Sequence, residues 1–149
     1  MKPKLLLRLV TLLASVVGAA VAISAPAARQ LAPEATSLDG RWKASITRAG
    51  LLRTGEVDPA EAAKLYGPWS AQFANGRFQA RNERTGLGAK GTFSVAGRVV
   101  RFVFATGVGV EPGAVAFCRA SVYRDRLTFT RTRGRPCLAW NAAVWTRVS

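Results

Sequence analysis

Cys118 and Cys137 are the only thiols in the chain, and histidine is absent. Those two facts decide most of what chemistry the side chains can do. Two thiolates without an imidazole do not fill the four-coordinate site that zinc requires, so no metal centre is expected. A Ser-His or Cys-His nucleophile of the usual kind is excluded for want of the base. Carboxylates number eight, spread over the whole chain, and most fall in segments that read as loops or a helix cap. No two of them share a strand face as a general acid/base pair would. Gly107-Val108-Gly109 bears glycine but lacks the strand-to-helix context of a phosphate or dinucleotide loop. The expectation is therefore a protein that is not an enzyme and carries no cofactor. What two cysteines do in an oxidising compartment is pair. One pairing is open to a monomer, Cys118 with Cys137, and closing a loop of that length stabilises by roughly 3 kcal/mol in the chain-entropy model.

The N-terminus supplies the reason to expect such a compartment. Lys2, Lys4 and Arg8 form a basic region, an apolar stretch runs from Leu9 to Ile23, and small residues follow, as Ala20-Val21-Ala22 or Ala25-Pro26-Ala27. That is the layout of a secretory signal, with cleavage placed between Ala22 and Ala28. The rival is an uncleaved anchor, disfavoured because the apolar run is shorter than the ~20 residues a spanning helix needs. Residues 1–27 are read as a signal peptide, 28–38 as a flexible lead-in and 39–149 as one domain, secreted or periplasmic. The formal charge is +14, and removal of the signal leaves about +11. Such a surplus suits an anionic partner, or simply solubility. The cations are scattered along the chain rather than gathered in one tract, which favours solubility.

A set of short strands must position whatever site exists. Apolar and polar residues alternate with a period of two from Trp42 to Arg48, so Trp42, Ala44 and Ile46 share a face. Leu51 to Val57 loses the alternation and reads as a loop. Asp58-Pro59-Ala60-Glu61 then has an N-cap, a proline at the first helical position and the glutamate of a capping box, opening a short helix to about Tyr66. Trp69 to Ala74 and Phe78 onward flank Asn75-Gly76, the strongest short hairpin signal. Glu83 to Lys90 is polar and glycine-bearing and reads as a loop. Thr92 to Val95 with Arg98 to Ala105, and Val115 to Tyr123 with Leu127 to Arg133, make two further hairpins. Cys137 to Ala143 is irregular or briefly helical, and Val144 to Val148 is a last strand.

Eight strands joined by short connections must be antiparallel neighbours, and a ribbon with one apolar face rolls up to hide it. The fold expected is all-β: an eight-stranded antiparallel up-and-down barrel with one short helix between strands 1 and 2. A two-sheet sandwich is the competitor, disfavoured by the meander order. Parity puts Trp42, Ile46, Trp69, Phe73, Phe78, Phe93, Val100, Phe102, Phe104, Val122, Leu127 and Phe129 inside. Most must serve as packing, since a small barrel is filled by its own side chains or holds one small ligand. Asn82 and Arg131 share the inward parity. An arginine inside a barrel is costly unless paired, and a ligand carboxylate is one partner; the alternative is that Arg131 lies at the rim and reaches water.

Gly40-x-Trp42 on the first strand, the eight-stranded meander and Arg147 on the last strand together resemble the lipocalin/calycin family. Phe73-Ala74-Asn75-Gly76-Arg77-Phe78 and the closing Trp145-Thr146-Arg147 are similar to features of small secreted bacterial lipocalin-like domains. The resemblance implies a barrel whose closed end is plugged by Trp42, with Arg147 packed across it. It also implies a cup for a small hydrophobic or amphiphilic ligand, an anionic one if Arg131 pairs with its carboxylate. The cavity candidates are Trp42, Trp69, Phe73, Phe78, Asn82, Phe93, Phe102, Phe104, Phe129 and Arg131. The alternative is a filled barrel that docks on anionic cell-surface polymer or lipid through Arg77, Arg81, Arg101, Arg119, Arg133 and Arg135. Nucleic acid ranks last, because base-stacking readers expose their aromatic side chains and here most of them face inward. The residue pattern leaves the oligomeric state open.

Overall fold

Alternation with a period of two becomes eight strands in the structure, a computed structural model that describes residues 36–149. The predicted signal peptide and most of the lead-in lie outside the described residues. The strands are β1 (Gly40–Ile46), β2 (Gly67–Ala74), β3 (Arg77–Asn82), β4 (Gly88–Ala96), β5 (Val99–Thr106), β6 (Val115–Tyr123), β7 (Arg126–Arg131) and β8 (Val144–Val148). Each pairs antiparallel with the next, and β8 returns to β1, so the meander closes into a barrel. Closure removes the exposed edges of the sheet. Inward positions are the buried ones: Trp42, Ala44 and Ile46 on β1, Trp69, Ala71 and Phe73 on β2, Val100, Phe102 and Phe104 on β5.

The tight turns share one end. Asn75 and Gly76 both take positive φ, which sets the mirror-image turn that suits the twist of a hairpin, and Phe73 pairs with Phe78 across it. Gly97-Arg98 and Arg124-Asp125 make the other two turns at that end. Trp42 closes it. Its indole N–H donates to the Leu38 carbonyl at 2.8 Å, and the Arg147 guanidinium lies over its ring at 4.3 Å. Arg147 also donates to the carbonyls of Asp39 at 2.8 Å and Ser37 at 2.9 Å. Gly40 is needed there because a Cβ would come within 2.7 Å of the Arg147 guanidinium, and its φ of +134° is one that L side chains rarely adopt. The Gly-x-Trp triplet is thus a floor: a bare backbone for the arginine to cross and an indole for it to stack on.

Three boundaries differ from the sequence reading. Leu38, assigned to the lead-in, is 1% exposed and belongs to the core. Residues 51–57 are not all loop: a helix α1 (Arg48–Arg53) precedes the expected α2 (Pro59–Leu65), so two short helices join β1 to β2. Thr47 caps α1 by accepting from the Gly50 N–H at 2.9 Å, and Leu51 is fully buried beneath it. A helix this short shows too few turns for its period to register in sequence. The stretch 83–90 is loop only as far as Leu87. Of its glycines, Gly86 stays in the turn, whereas Gly88, like Gly91 just beyond the stretch, lies in β4, where it carries no side chain to mark a face, and the register shifts between Lys90 and Gly91.

The floor contacts give a direct expectation. Arg147→Ala removes two hydrogen bonds and the cation–π contact and should lower unfolding free energy by about 1–2 kcal/mol. Urea denaturation measures it, with Arg147→Lys intermediate because an ammonium cannot make the same forked contact.

Candidate functional site

The long connections gather at the opposite end. There α1 and α2 cross from β1 to β2, residues 107–114 join β5 to β6, and residues 132–143 join β7 to β8. The last of these carries a short 3₁₀ helix, Leu138–Ala142, tied down on its N-terminal side by the Cys118–Cys137 disulfide. The expected bond is therefore formed, and such a bond belongs to a non-reducing environment.

This turn lowers Trp140 into the barrel. The Trp140 indole stacks on Phe102 with centroids 4.9 Å apart and planes 11° from parallel. It also meets Phe73 at 5.6 Å, Phe78 at 5.7 Å and Phe129 at 5.6 Å, and its neighbour on β8, Trp145, at 5.4 Å. Phe93 completes the group by meeting Phe73 edge-on at 5.3 Å. The space a ligand would need among Phe73, Phe78, Phe93, Phe102 and Phe129 is thus occupied by a side chain of the protein itself. Those residues are core, and Trp42 is floor.

Open space lies above the plug, at the mouth. A cavity of about 110 Å³ is lined by Ile46, Trp69, Ala80, Ala89, Phe104 and Trp145 from the strands. Leu65 of α2, Val108 to Val110 of the β5–β6 connection, and Leu138 to Trp140 complete the apolar wall. The charged residues in its lining are Glu56 and Glu61, both carboxylates. Of the cavity candidates taken from sequence, Trp69 and Phe104 line it.

Asn82 and Arg131 have other employment. Asn82 is fully buried, and its amide donates to the carbonyls of Leu65 at 2.9 Å and Tyr66 at 3.1 Å. Its side-chain oxygen accepts from the backbone N–H groups of Arg84 and Thr85. All of its polar capacity goes into fixing the end of α2 and the turn after β3, which is why a buried amide is tolerated. Arg131 follows the inward parity but stands at the rim with its side chain 51% exposed, 3.3 Å from the Glu56 carboxylate. It is not a buried cation awaiting a ligand anion. Glu56, its side chain only 7% exposed, also accepts from the Cys137 N–H at 2.9 Å. One carboxylate therefore joins the α1–α2 connection to the disulfide, and through it to the segment that carries Trp140.

Trp140, Glu56 and Glu61 are the residues that strand parity misses, because none of them is on a strand. A large apolar residue beside a disulfide cysteine, in Cys137-Leu138-Ala139-Trp140, is the signal in sequence that points to a buried connection. With fold and mouth described, comparison adds no kinship: no family model matches the chain, and no curated protein does.

Trp140→Ala should cost about 3–5 kcal/mol, the range for emptying a large buried aromatic position. The space it leaves is apolar and walled by phenylalanines, so it should stay dry and accept free indole. An indole-dependent rise in the melting temperature of Trp140→Ala, absent from the parent protein, would show both effects.

Proposed function

We propose that this protein is a non-enzymatic, lipocalin-like binding barrel, exported to a secreted or periplasmic location, that takes a small apolar or amphiphilic molecule at its mouth. The kinship rests on the Gly40-x-Trp42 start, the eight-stranded meander and Arg147 across Trp42. The observation that carries the binding reading is the mouth cavity, with apolar walls drawn from strands, helix, loop and 3₁₀ turn. Concave, mostly apolar sites with a few placed polar groups are the usual form of small-molecule sites. Its size limits the guest. An apolar cavity of about 150 Å³ takes a single benzene ring, so about 110 Å³ takes a short or branched alkyl end while the rest of the molecule projects to solvent. An extended acyl chain would have to displace Trp140.

Trp69, Trp140 and Trp145 lie against this space, so intrinsic fluorescence reports on it. Short alcohols such as hexanol should shift that emission saturably and raise the melting temperature. Val108→Trp, which fills the cavity from a loop, should remove both responses. A parent protein indifferent to every short-chain probe would end the reading.

A second reading is favoured by the charge on the wall. None of the eight strands carries a carboxylate, whereas Arg77, Arg81, Arg101 and Arg119 stand exposed on the outer face, with Arg133 and Arg135 exposed beside it. Arg135 lies over the Phe117 ring at 4.2 Å, and Phe117 pairs with Arg101 across β5 and β6. Such a surface suits docking on anionic lipid or cell-wall polymer. Cosedimentation with phosphatidylglycerol vesicles should be strong at low salt and fall steeply as salt shortens the Debye length from about 30 Å at 0.01 M to about 8 Å at 0.15 M. Binding that ignores salt, or none at low salt, would remove it.

A further inference from the structure

We infer that the mouth cavity selects an alkylated ammonium cation over neutral or anionic molecules of the same shape, an inference that rests on the mouth being the binding site. The argument begins with Glu61. Its place three residues after Asp58 predicts a capping box, in which the Glu61 carboxylate would turn back to the Asp58 N–H. Half of that box forms: Asp58 accepts from the N–H groups of Ala60 and Glu61 at 2.8 Å. The return bond is not made. The Glu61 carboxylate lies instead against Gly109, where a Cβ would overlap its Oε1. Gly109 has φ of +66° and no side chain, and that is what leaves room for a carboxylate at the cavity wall.

The two carboxylates at the wall differ in their commitments. Glu56 is matched by Arg131 and the Cys137 N–H. Among the described residues, no hydrogen bond or ion pair reaches the Glu61 carboxylate. Its charge is therefore the uncompensated one facing the cavity, and no lysine or arginine lines the space. Trp69, Phe104 and Trp140 line the same space. Indole and phenyl faces attract a cation within about 6 Å of the ring centroid, and aromatic walls with a carboxylate are a general way of holding alkylated ammonium groups. A neutral guest of equal shape would shield Glu61 from water and give it no partner, which is costly. An anion would meet the uncompensated charge of Glu61. The protein's overall positive charge opposes a cation at long range, but salt screens it beyond about 8–10 Å, so the nearby carboxylate and rings decide.

Isothermal titration with choline, its neutral carbon isostere dimethylbutanol, and dimethylbutyrate tests the order. Choline should bind about tenfold or more tightly than the alcohol, as expected for a cation held by desolvated rings and a carboxylate, with the acid weakest. Glu61→Gln should bring choline down to the level of the alcohol, with the melting curve confirming that the variant is folded. Equal affinity for choline and the alcohol, or a preference that survives in Glu61→Gln, overturns the inference. Binding of the alcohol without choline also overturns it while leaving the mouth as a site. If no probe binds, the site and its selectivity fall together.

Discussion

The stack of Trp140 on Phe102 is the contact on which the interior depends. A closed cylinder of eight strands leaves a space along its axis that inward side chains must fill, because an interior packed below crystal-like density forfeits dispersion contacts on every surrounding atom. Here the phenylalanines of β2 to β5 and β7 line that space, and one indole from outside the strands completes it. The barrel is in effect loaded with its own side chain. What remains open is displaced to the mouth, where the walls are a helix, a loop and the segment that carries the plug.

That placement makes the mouth and the core one mechanical unit. The 3₁₀ turn bearing Trp140 is held by the disulfide on one side and continues into β8 on the other. Glu56 grips the same segment through the Cys137 N–H and reaches Arg131 on β7. At the far end, Arg147 does comparable work, tying β8 to the backbone of residues 37 and 39 while lying on Trp42. β8 thus links both ends: Trp145 faces the plug and Arg147 the floor, two residues apart on one side of the strand. An alternating strand can do this because every second side chain faces the same way.

Charge is divided in the same manner. With no acidic residue on any of the eight strands, the outer wall is positive, and among the described residues the carboxylates lie off the strands. Two of them, Glu56 and Glu61, converge on the cavity from the α1–α2 region although they are five positions apart in a segment that shows no strand pattern. A strongly basic protein thereby keeps an acidic spot at its mouth. Nothing in the net charge reveals it, because net charge sums over positions that the fold separates.

Local pattern was enough to read the barrel: the period-two faces, Asn75-Gly76, the Asp58 cap and the short connections leave few ways to arrange the chain, and Trp42 with Arg147 could be matched as a floor. Parity also placed Phe73, Phe78, Phe102, Phe104 and Phe129 inside, since on a strand the direction of a side chain follows from counting. Counting stops at the end of a strand. Whether Trp140 points inward, whether Arg131 finds a ligand or Glu56, and whether Glu61 closes a capping box or faces a cavity all depend on the paths of the connections. Those paths are set by contacts between residues far apart in sequence, such as Cys137 with Cys118 and with Glu56. The kind of barrel was therefore legible in the chain, and what fills it was decided by the tertiary structure, because side-chain direction is a local property on strands and a long-range one everywhere else.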